Sequence, residues 1–206
     1  MRIRPFSHRD LEAIVKIQNS SAQTAAWSET DYERLAADPQ GMVLVAESEG
    51  STLPELVGFA AFHRVGEEAE LWNLAVAPQY RRQGIAKALF QEARRCLLQA
   101  RVTRIFLEAR ASNAPALGLY HAMGFRTFMV RKDYYRNPNE DAVVLVCDLI
   151  PSSGNWAAKW SSFGPIPSRK GVFSKSYEFS TALQAWHLVA IARNRAWSTP
   201  YGAKTP

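Results

Sequence analysis

The chain has 206 residues, enough for one hydrophobic core and an appendage, and its 47% hydrophobic content is ordinary for a globular protein. No apolar run approaches the roughly 18 to 20 residues that span a bilayer, and Met1-Arg2-Ile3-Arg4-Pro5-Phe6 has neither the apolar stretch nor the cleavage site of a secretory signal, so a soluble, cytoplasmic protein is expected. The formal charge of +6 suggests nucleic acid or an anionic surface, but residues 1–150 carry 18 basic and 18 acidic side chains, and the excess lies in residues 151–206, with seven basic side chains against Glu178 alone.

Along the chain, period 2 alternates with period 3.6. Ile3 to Phe6 reads as a strand, and Ser7 with Asp10 three residues on makes a capping-box pattern for a helix carrying Leu11, Ile14, Val15 and Ile17. Ser28 caps a second short helix that ends before Pro39. Three strands follow, Met42 to Glu47, Leu56 to Arg64 and Ala69 to Val76, separated by Gly, Pro and acidic residues in the manner of an antiparallel meander. After Gly84, the positions Ile85, Leu89, Ala93, Cys96 and Leu97 mark one face of a helix. Thr103 to Ala109 returns to strand, Asn113 to Met123 reads as a helix that Gly124 terminates, and two more strands lie near Phe125 to Arg131 and Ala142 to Leu149.

The order β-α-α-β-β-β-α-β-α-β-β predicts an α/β (α+β) fold: a mixed, mostly antiparallel sheet of about seven strands with helices on both faces. The strand-helix-strand crossover over residues 69–109 predicts one parallel pairing of right-handed sense. Residues 1–150 form the predicted domain. Beyond Pro151 come Ser, Gly, Pro and Lys with scattered tryptophans, and Phe179, Leu183, Trp186, Ala190 and Ile191 recur at helical spacing. A partly disordered extension with one helix near 177–194 is expected. Its Trp156, Trp160, Trp186 and Trp197, interleaved with basic residues, suit RNA by stacking and charge, or a membrane surface, or simply docking on the domain.

The stretch with chemistry in it is Glu70-Leu-Trp-Asn-Leu-Ala-Val-Ala-Pro-Gln-Tyr-Arg-Arg-Gln-Gly-Ile-Ala-Lys87, a strand, a short loop and a helix start. A glycine-containing loop opening a helix converges free backbone N–H groups at the positive end of the helix dipole, which suits a phosphate or pyrophosphate. Neither G-x-G-x-x-G nor G-x-x-x-x-G-K-[ST] is present, so a dinucleotide or nucleoside triphosphate is not favoured. An ordinary basic turn before a surface helix is the plainer alternative. The four histidines have no metal spacing and the two cysteines make no disulfide framework, so no metal and reduced thiols are expected.

Arg81-Arg82-Gln83-Gly84-Ile85-Ala86 resembles the [QR]-x-x-G-x-[GA] signature of the GNAT N-acetyltransferases, whose loop grips the pyrophosphate of acetyl-CoA. Leu107-Glu-Ala-Arg-Ala-Ser-Asn113, Leu119-Tyr120 and Gly124-Phe125 are similar to the family's second cofactor motif, in the branch that acetylates the N-terminal alanine of a ribosomal protein. Trp27-Ser28-Glu29 and Asp133-Tyr134-Tyr135 resemble two further elements of that branch. The likeness covers residues 1–150, with Ala86, Asp133 and Arg136 as departures.

The resemblance implies acetyl transfer from acetyl-CoA to a protein α-amine, with the N-terminal alanine of ribosomal protein bS18 as first candidate and a lysine or small amine as the alternative acceptor. A non-catalytic acetyl-CoA sensor or RNA-binding protein is the alternative of another class. By the same resemblance, Leu74, Ala75 and Val76 hold the pantetheine arm as an added strand, and Arg81, Arg82, Gln83, Gly84, Ile85, Ala86 and Lys87 hold the phosphates. Asn113 hydrogen-bonds the cosubstrate, Glu108 is the base that frees the amine, and Tyr120 gives a proton to the departing sulfur. A free α-amine has a pKa of about 8, so it needs such a base at neutral pH. Tyr134 and Tyr135, in a loop before the final strand, are expected to wall the acceptor groove. The bland readings stay open: Glu108 as a salt-bridge partner of Arg110 or Arg104, and Tyr120 as a core residue.

Overall fold

The computed structural model describes residues 1–21, 26–49, 54–136 and 138–150; the basic extension expected over 151–206, with its helix and its proposed nucleic-acid contact, lies outside the described residues. The elements follow in the expected order: β1 (Arg2–Pro5), α1 (Leu11–Asn19), α2 (Glu29–Ala37), β2 (Gly41–Glu47), β3 (Leu56–Val65), β4 (Glu68–Val76), α3 (Ile85–Gln99), β5 (Arg104–Arg110), α4 (Ala114–Ala122), β6 (Arg126–Arg136) and β7 (Asn139–Asp148). They build a seven-stranded sheet in the order β1-β2-β3-β4-β5-β7-β6. All neighbours are antiparallel except β4 and β5, the pair joined by the crossover through α3.

Local chemistry fixes the helix starts. The Asp10 carboxylate accepts from the Ser7 N–H at 2.7 Å and pairs with Arg4 at 2.7 Å, which ties β1 to the entry of α1. At α2 the Asp31 carboxylate accepts from the Ser28 N–H at 2.8 Å. Both are the reciprocal half of a capping box, satisfying a donor that the first turn leaves without an intrahelical partner. Gly124, at φ +94°, ends α4 in the left-handed region open to glycine.

Strand alternation sorts the core into two layers. Leu44, Ala46, Ala60, Phe62, Ala69, Leu71, Ile105 and Leu107 pack with Ile85, Leu89, Phe90, Ala93 and Leu97 of α3. Val43, Val45, Phe59, Ala61 and Ala75 pack with Leu11, Ile14 and Ile17 of α1 and Tyr32 and Leu35 of α2. Helices therefore cover both faces, as the pattern of the chain predicts.

One irregularity shapes the middle of the sheet. The partners of β3 jump from Asn73 at Ala61 to Leu71 at Phe62, so Trp72 is an extra residue in β4, a β-bulge. Before it Ala69 and Leu71 face α3; after it Asn73 and Ala75 face α1 and α2. Asn73 is held there by a buried polar cluster, its Nδ2 donating to Tyr32 Oη at 2.9 Å and to Gln18 Oε1 at 3.2 Å, while Tyr32 Oη donates to Gln18 Oε1 at 2.6 Å. Gln18 also donates to the Trp27 carbonyl at 2.9 Å. The bulge and the Trp27-Ser28 segment are thus braced by the same side chain.

The last hairpin departs from expectation. Tyr134 and Tyr135 stand in β6, which runs on to Arg136, and not in a loop. The strand absorbs a bulge between Arg131 and Tyr135: Asp133 turns to φ +52°, its N–H donates to Asp141 Oδ1 at 3.0 Å, and its carboxylate accepts from Asn139 Nδ2 at 2.6 Å. An aspartate tolerates this conformation because its short polar side chain bonds locally. No helix among the described residues is long and apolar enough to cross a membrane.

Candidate active site

At the start of α3 the first intrahelical bond runs from Ala88 N to Gly84 O at 2.9 Å, so the N–H groups of Ile85, Ala86 and Lys87 precede the ladder. Gly84 caps the helix at φ +81° with no side-chain acceptor, and the first turn holds no acidic residue to compete for these donors. A Cβ on Gly84 would meet no heavy atom within 4 Å, so the backbone lies open to a ligand. Arg82 extends the turn at φ +62° with an exposed side chain, and Gln83 and Lys87 are exposed beside it. Ile85 instead turns its side chain into the core, where it is 6% exposed. Arg81 is committed to the scaffold: its Nε donates to the Val76 carbonyl at 3.1 Å and its Nη2 to Ser21 Oγ at 2.7 Å, lashing the end of β4 to the end of α1. The turn is thus a candidate cradle for a phosphate-bearing ligand, with Arg82 and Lys87 as exposed charges beside it.

Beside the cradle the sheet opens. β4 and β5 pair only over Glu68–Leu71 and Arg104–Leu107, although β4 continues to Val76 on β3 and β5 continues to Arg110 on β7. Past Leu71 the edge of β4 that carries Leu74, Ala75 and Val76 has no partner strand in β5. Such an edge offers ladder N–H and C=O groups to an extended ligand. Asn113 caps α4 with its Oδ1 accepting from Ala116 N at 3.2 Å, which leaves its NH₂ group to donate.

Glu108 lies where the strands part. By alternation with Ile105, Leu107 and Ala109, which enter the α3 core, it points to the opposite face, as Glu70 does by alternation with Ala69 and Leu71. Its partner is neither Arg110, which binds Glu140, nor Arg104, which binds Asp148; it is Arg131 of β6, at 2.5 Å from Oε1. Both members are largely buried, at 21% and 15% exposure. Glu70 completes the cluster. Burial pushes its carboxyl up to about 7; the Trp72 indole, donating at 2.8 Å, and the charge of Arg131 pull it down, and the charge of Glu108 pushes it up.

Tyr120 sits on α4, packed against the α3 core and edge-on to Phe125 at 5.8 Å, so the core reading of this ring holds for its body. Its hydroxyl is pushed up to about 12 by burial and by Tyr135. Tyr135 is pushed up to about 12 as well, by burial and then by Glu108. Tyr135 therefore lies near enough to feel the Glu108 carboxylate and to be felt by the Tyr120 phenol. Arg110 lies 4.1 Å over the Tyr135 ring, Arg131 lies 5.3 Å from the centre of the Tyr134 ring, and the two tyrosines meet edge to face at 5.2 Å. Among the described residues no group of three or more His, Cys, Asp or Glu side chains could hold a metal ion.

Glu70 and Arg131 have no role in the sequence reading. A carboxylate in the alternating Glu68, Glu70, Trp72 face of a central strand was the available signal. Its cost to the fold is testable. A carboxyl with a raised folded pKa keeps its proton while the unfolded chain loses one, so Glu70 lowers stability as pH rises from about 4.5 to about 7, by roughly 3 kcal/mol in full. Glu70→Gln is therefore expected to raise the melting temperature at pH 8 and to change it little at pH 4.5. Calorimetry at the two pH values checks this; an equal shift at both would refute it.

Residues 11–125 match the model of the acetyltransferase (GNAT) family. A Bacillus subtilis protein described as a candidate [ribosomal protein bS18]-alanine N-acetyltransferase is 31% identical over 143 residues, covering 69% of this chain and 92% of that one. The [ribosomal protein bS18]-alanine N-acetyltransferase of Escherichia coli is 39% identical over 97 residues, 46% of this chain and 66% of that enzyme. The crystal structure of the ribosomal-protein-S18-alanine N-acetyltransferase from Escherichia coli superposes with a TM-score of 0.63 at 30% identity, covering 75% of this chain and 97% of that one. An open α3 N-terminus, a parted β4–β5 pair and these matches agree: the chain is an acyltransferase and belongs to the GNAT acetyltransferase family.

Proposed function

We propose that this enzyme transfers an acetyl group from acetyl-CoA to the α-amino group of a protein N-terminus, with the N-terminal alanine of ribosomal protein bS18 as the acceptor. The observation that supports this most is the parting of β4 and β5 beyond Leu71, with the open stretch of β4 leading to the candidate cradle and Glu108 on β5 where the strands part. The similarity to [ribosomal protein bS18]-alanine N-acetyltransferases supports that acceptor.

The chain suits this cosubstrate. The N–H groups of Ile85, Ala86 and Lys87, with Arg82, would bind the pyrophosphate; the open edge at Leu74, Ala75 and Val76 would bind the pantetheine arm; Asn113 would donate to it from α4. Bound acetyl-CoA supplies the activated acyl carbon. The protein supplies orientation, which accounts for most of the rate in a reaction between two bound partners, and proton transfer. Glu108, fixed by Arg131, faces the acceptor amine and begins the removal of its proton. Tyr120, kept protonated by burial, is the donor for the sulfur. Tyr134 and Tyr135 present ring faces to the first residues of the acceptor.

Mass spectrometry after incubation with acetyl-CoA tests the reading, with peptides that begin with alanine, the same peptides blocked at the α-amine, and peptides whose lysine is the sole free amine. A gain of one acetyl group on the free alanine α-amine alone is expected. Transfer confined to lysine or to a small amine would overturn the acceptor, and binding of acetyl-CoA without transfer to any amine would overturn the enzyme.

A further inference from the structure

Glu140 stands near the start of β7, level with Tyr135 in the β6–β7 ladder. Its carboxylate closes on the turn that joins β5 to α4. Oε1 accepts from the Ser112 N–H at 2.5 Å, and Oε2 accepts from Arg110 Nη1 at 3.1 Å. One residue further along β7, the Asp141 carbonyl accepts from the Ala111 N–H at 3.1 Å, and the turn closes on itself with Asn113 N donating to the Arg110 carbonyl at 3.0 Å. Asn113 is the residue that caps α4. Arg110 reaches further than Glu140, since its guanidinium lies 4.1 Å over the Tyr135 ring. By ladder pairing, Tyr135, Glu140 and Arg110 share the face of the sheet that carries Glu108. Hydrogen bonds from the side chain and N–H of Ser112, and the Arg110 guanidinium, hold the Glu140 carboxyl below the usual glutamate range, so it is ionised at neutral pH.

We propose that Glu140 is a positioning residue that registers the two substrates against each other: it fixes the Arg110–Asn113 turn that meets the cosubstrate and, through Arg110, the Tyr135 ring that meets the acceptor. This rests on the acetyl-transfer reading above, in which Asn113 donates to acetyl-CoA and Tyr135 walls the acceptor groove. Neither substrate needs to touch Glu140. The ligand that seats on Asn113 orders the turn, the turn orders Glu140 and Arg110, and Arg110 selects the ring position that the acceptor finds. One ligand helps another only by favouring the arrangement that both use, and the benefit is equal in both directions. Coenzyme A should then tighten the acceptor, and the acceptor should tighten coenzyme A by the same factor.

The side chains suit this role. A carboxylate accepts at both oxygens, so Glu140 serves a backbone donor and a guanidinium at once. A glutamine has one oxygen, and its NH₂ group would face either Ser112 or Arg110, both donors. The guanidinium is planar, so Arg110 can pair at its edge while it lies flat on a ring. A lysine could pair with Glu140 but offers no plane to Tyr135.

The test uses Glu140→Gln and Arg110→Lys in the full chain, with coenzyme A, which carries no acyl group and so leaves the acceptor unreacted. Titration calorimetry reads the dissociation constant of an acceptor peptide, one that mass spectrometry has shown to be acetylated, with and without saturating coenzyme A. In the wild type, coenzyme A is expected to tighten the peptide by about fivefold or more, the lower end of ordinary coupling between sites. In both variants that factor should fall to within about twofold of unity, and the KM of the acceptor should rise more than that of acetyl-CoA. A role confined to stability would lower the melting temperature and leave the coupling factor where it was. Coupling as strong in the variants as in the wild type, or none in the wild type, overturns the proposal; should Glu140→Gln not fold, Arg110→Lys decides alone. The acetyl-transfer reading fails by a separate result. Turnover of lysine peptides alone would fell the α-amine acceptor and leave the coupling to be read on lysine, whereas no turnover of any amine would fell both.

Discussion

Glu108→Gln is expected to lower kcat by about 10²- to 10⁴-fold, the usual worth of a positioned proton acceptor, with acetyl-CoA binding within about twofold of the wild type. The separation follows from where the groups lie. The cradle is built from backbone N–H groups of α3, and the open edge from β4; Glu108 belongs to β5 and points to the α1 side of the sheet. The substitution also has a structural cost, because it leaves the Arg131 guanidinium, 15% exposed, without its carboxylate. Gln keeps one oxygen for that guanidinium, so the loss should be about 1–3 kcal/mol, well below the 3–5 kcal/mol of an uncompensated buried charge.

A second readout removes the ambiguity between a chemical and a structural effect. In wild type the charge of Glu108 pushes Glu70 up and that of Arg131 pulls it down. Without Glu108 that upward push is lost while burial and the downward pull of Arg131 remain, so the Glu70 carboxyl should titrate lower than in the wild type. Calorimetry, stopped-flow turnover and carbon-13 NMR of the glutamate carboxyls on the same variant check all three. A variant with full kcat would remove Glu108 from the mechanism.

What the sequence made legible is what local patterns encode. Apolar alternation marked the strands, helical spacing marked α3, and Ser7 with Asp10 and Gly84 with Gly124 marked ends that the backbone must cap. The candidate cradle was legible for the same reason: it is one contiguous turn, and the role proposed for it depends on Gly84 having no side chain. The charged cluster was not. Arg131 reaches Glu108 because β7 lies between β5 and β6, so an arginine must cross one whole strand, about 9–10 Å from its own strand to that of its partner. No spacing along the chain reports that distance. The extended β6 was hidden likewise, since its bulge is paid in contacts between Asp133, Asn139 and Asp141 that exist only once the hairpin has formed.

Gly84→Val is expected to weaken acetyl-CoA binding by about 10²-fold or more and to destabilise the fold by roughly 1–3 kcal/mol. The backbone at φ +81° lies in the left-handed region, where a β-branched residue is strained by its own carbonyl and side chain. No neighbour clashes with a Cβ there, since nothing lies within 4 Å, so the cost is conformational and the chain still folds. Binding suffers more than folding because that same empty space is the approach to the N–H groups of Ile85, Ala86 and Lys87. A valine side chain would fill it and hold a phosphate beyond the roughly 3 Å at which these donors act.

Gly84→Ala carries less bulk into the approach but much of the strain, so it should fall between the two in affinity and close to Gly84→Val in stability. Arg81→Ala separates the cradle from its scaffold. Arg81 binds Val76 and Ser21, so its loss should cost stability with a smaller change in affinity than Gly84→Val. Calorimetric titration with coenzyme A, beside thermal unfolding of each variant, reads both quantities. If Gly84→Val bound coenzyme A like the wild type, the ligand would not lie on the α3 N-terminus, and the assignment of Leu74, Ala75 and Val76 as its continuation would go with it.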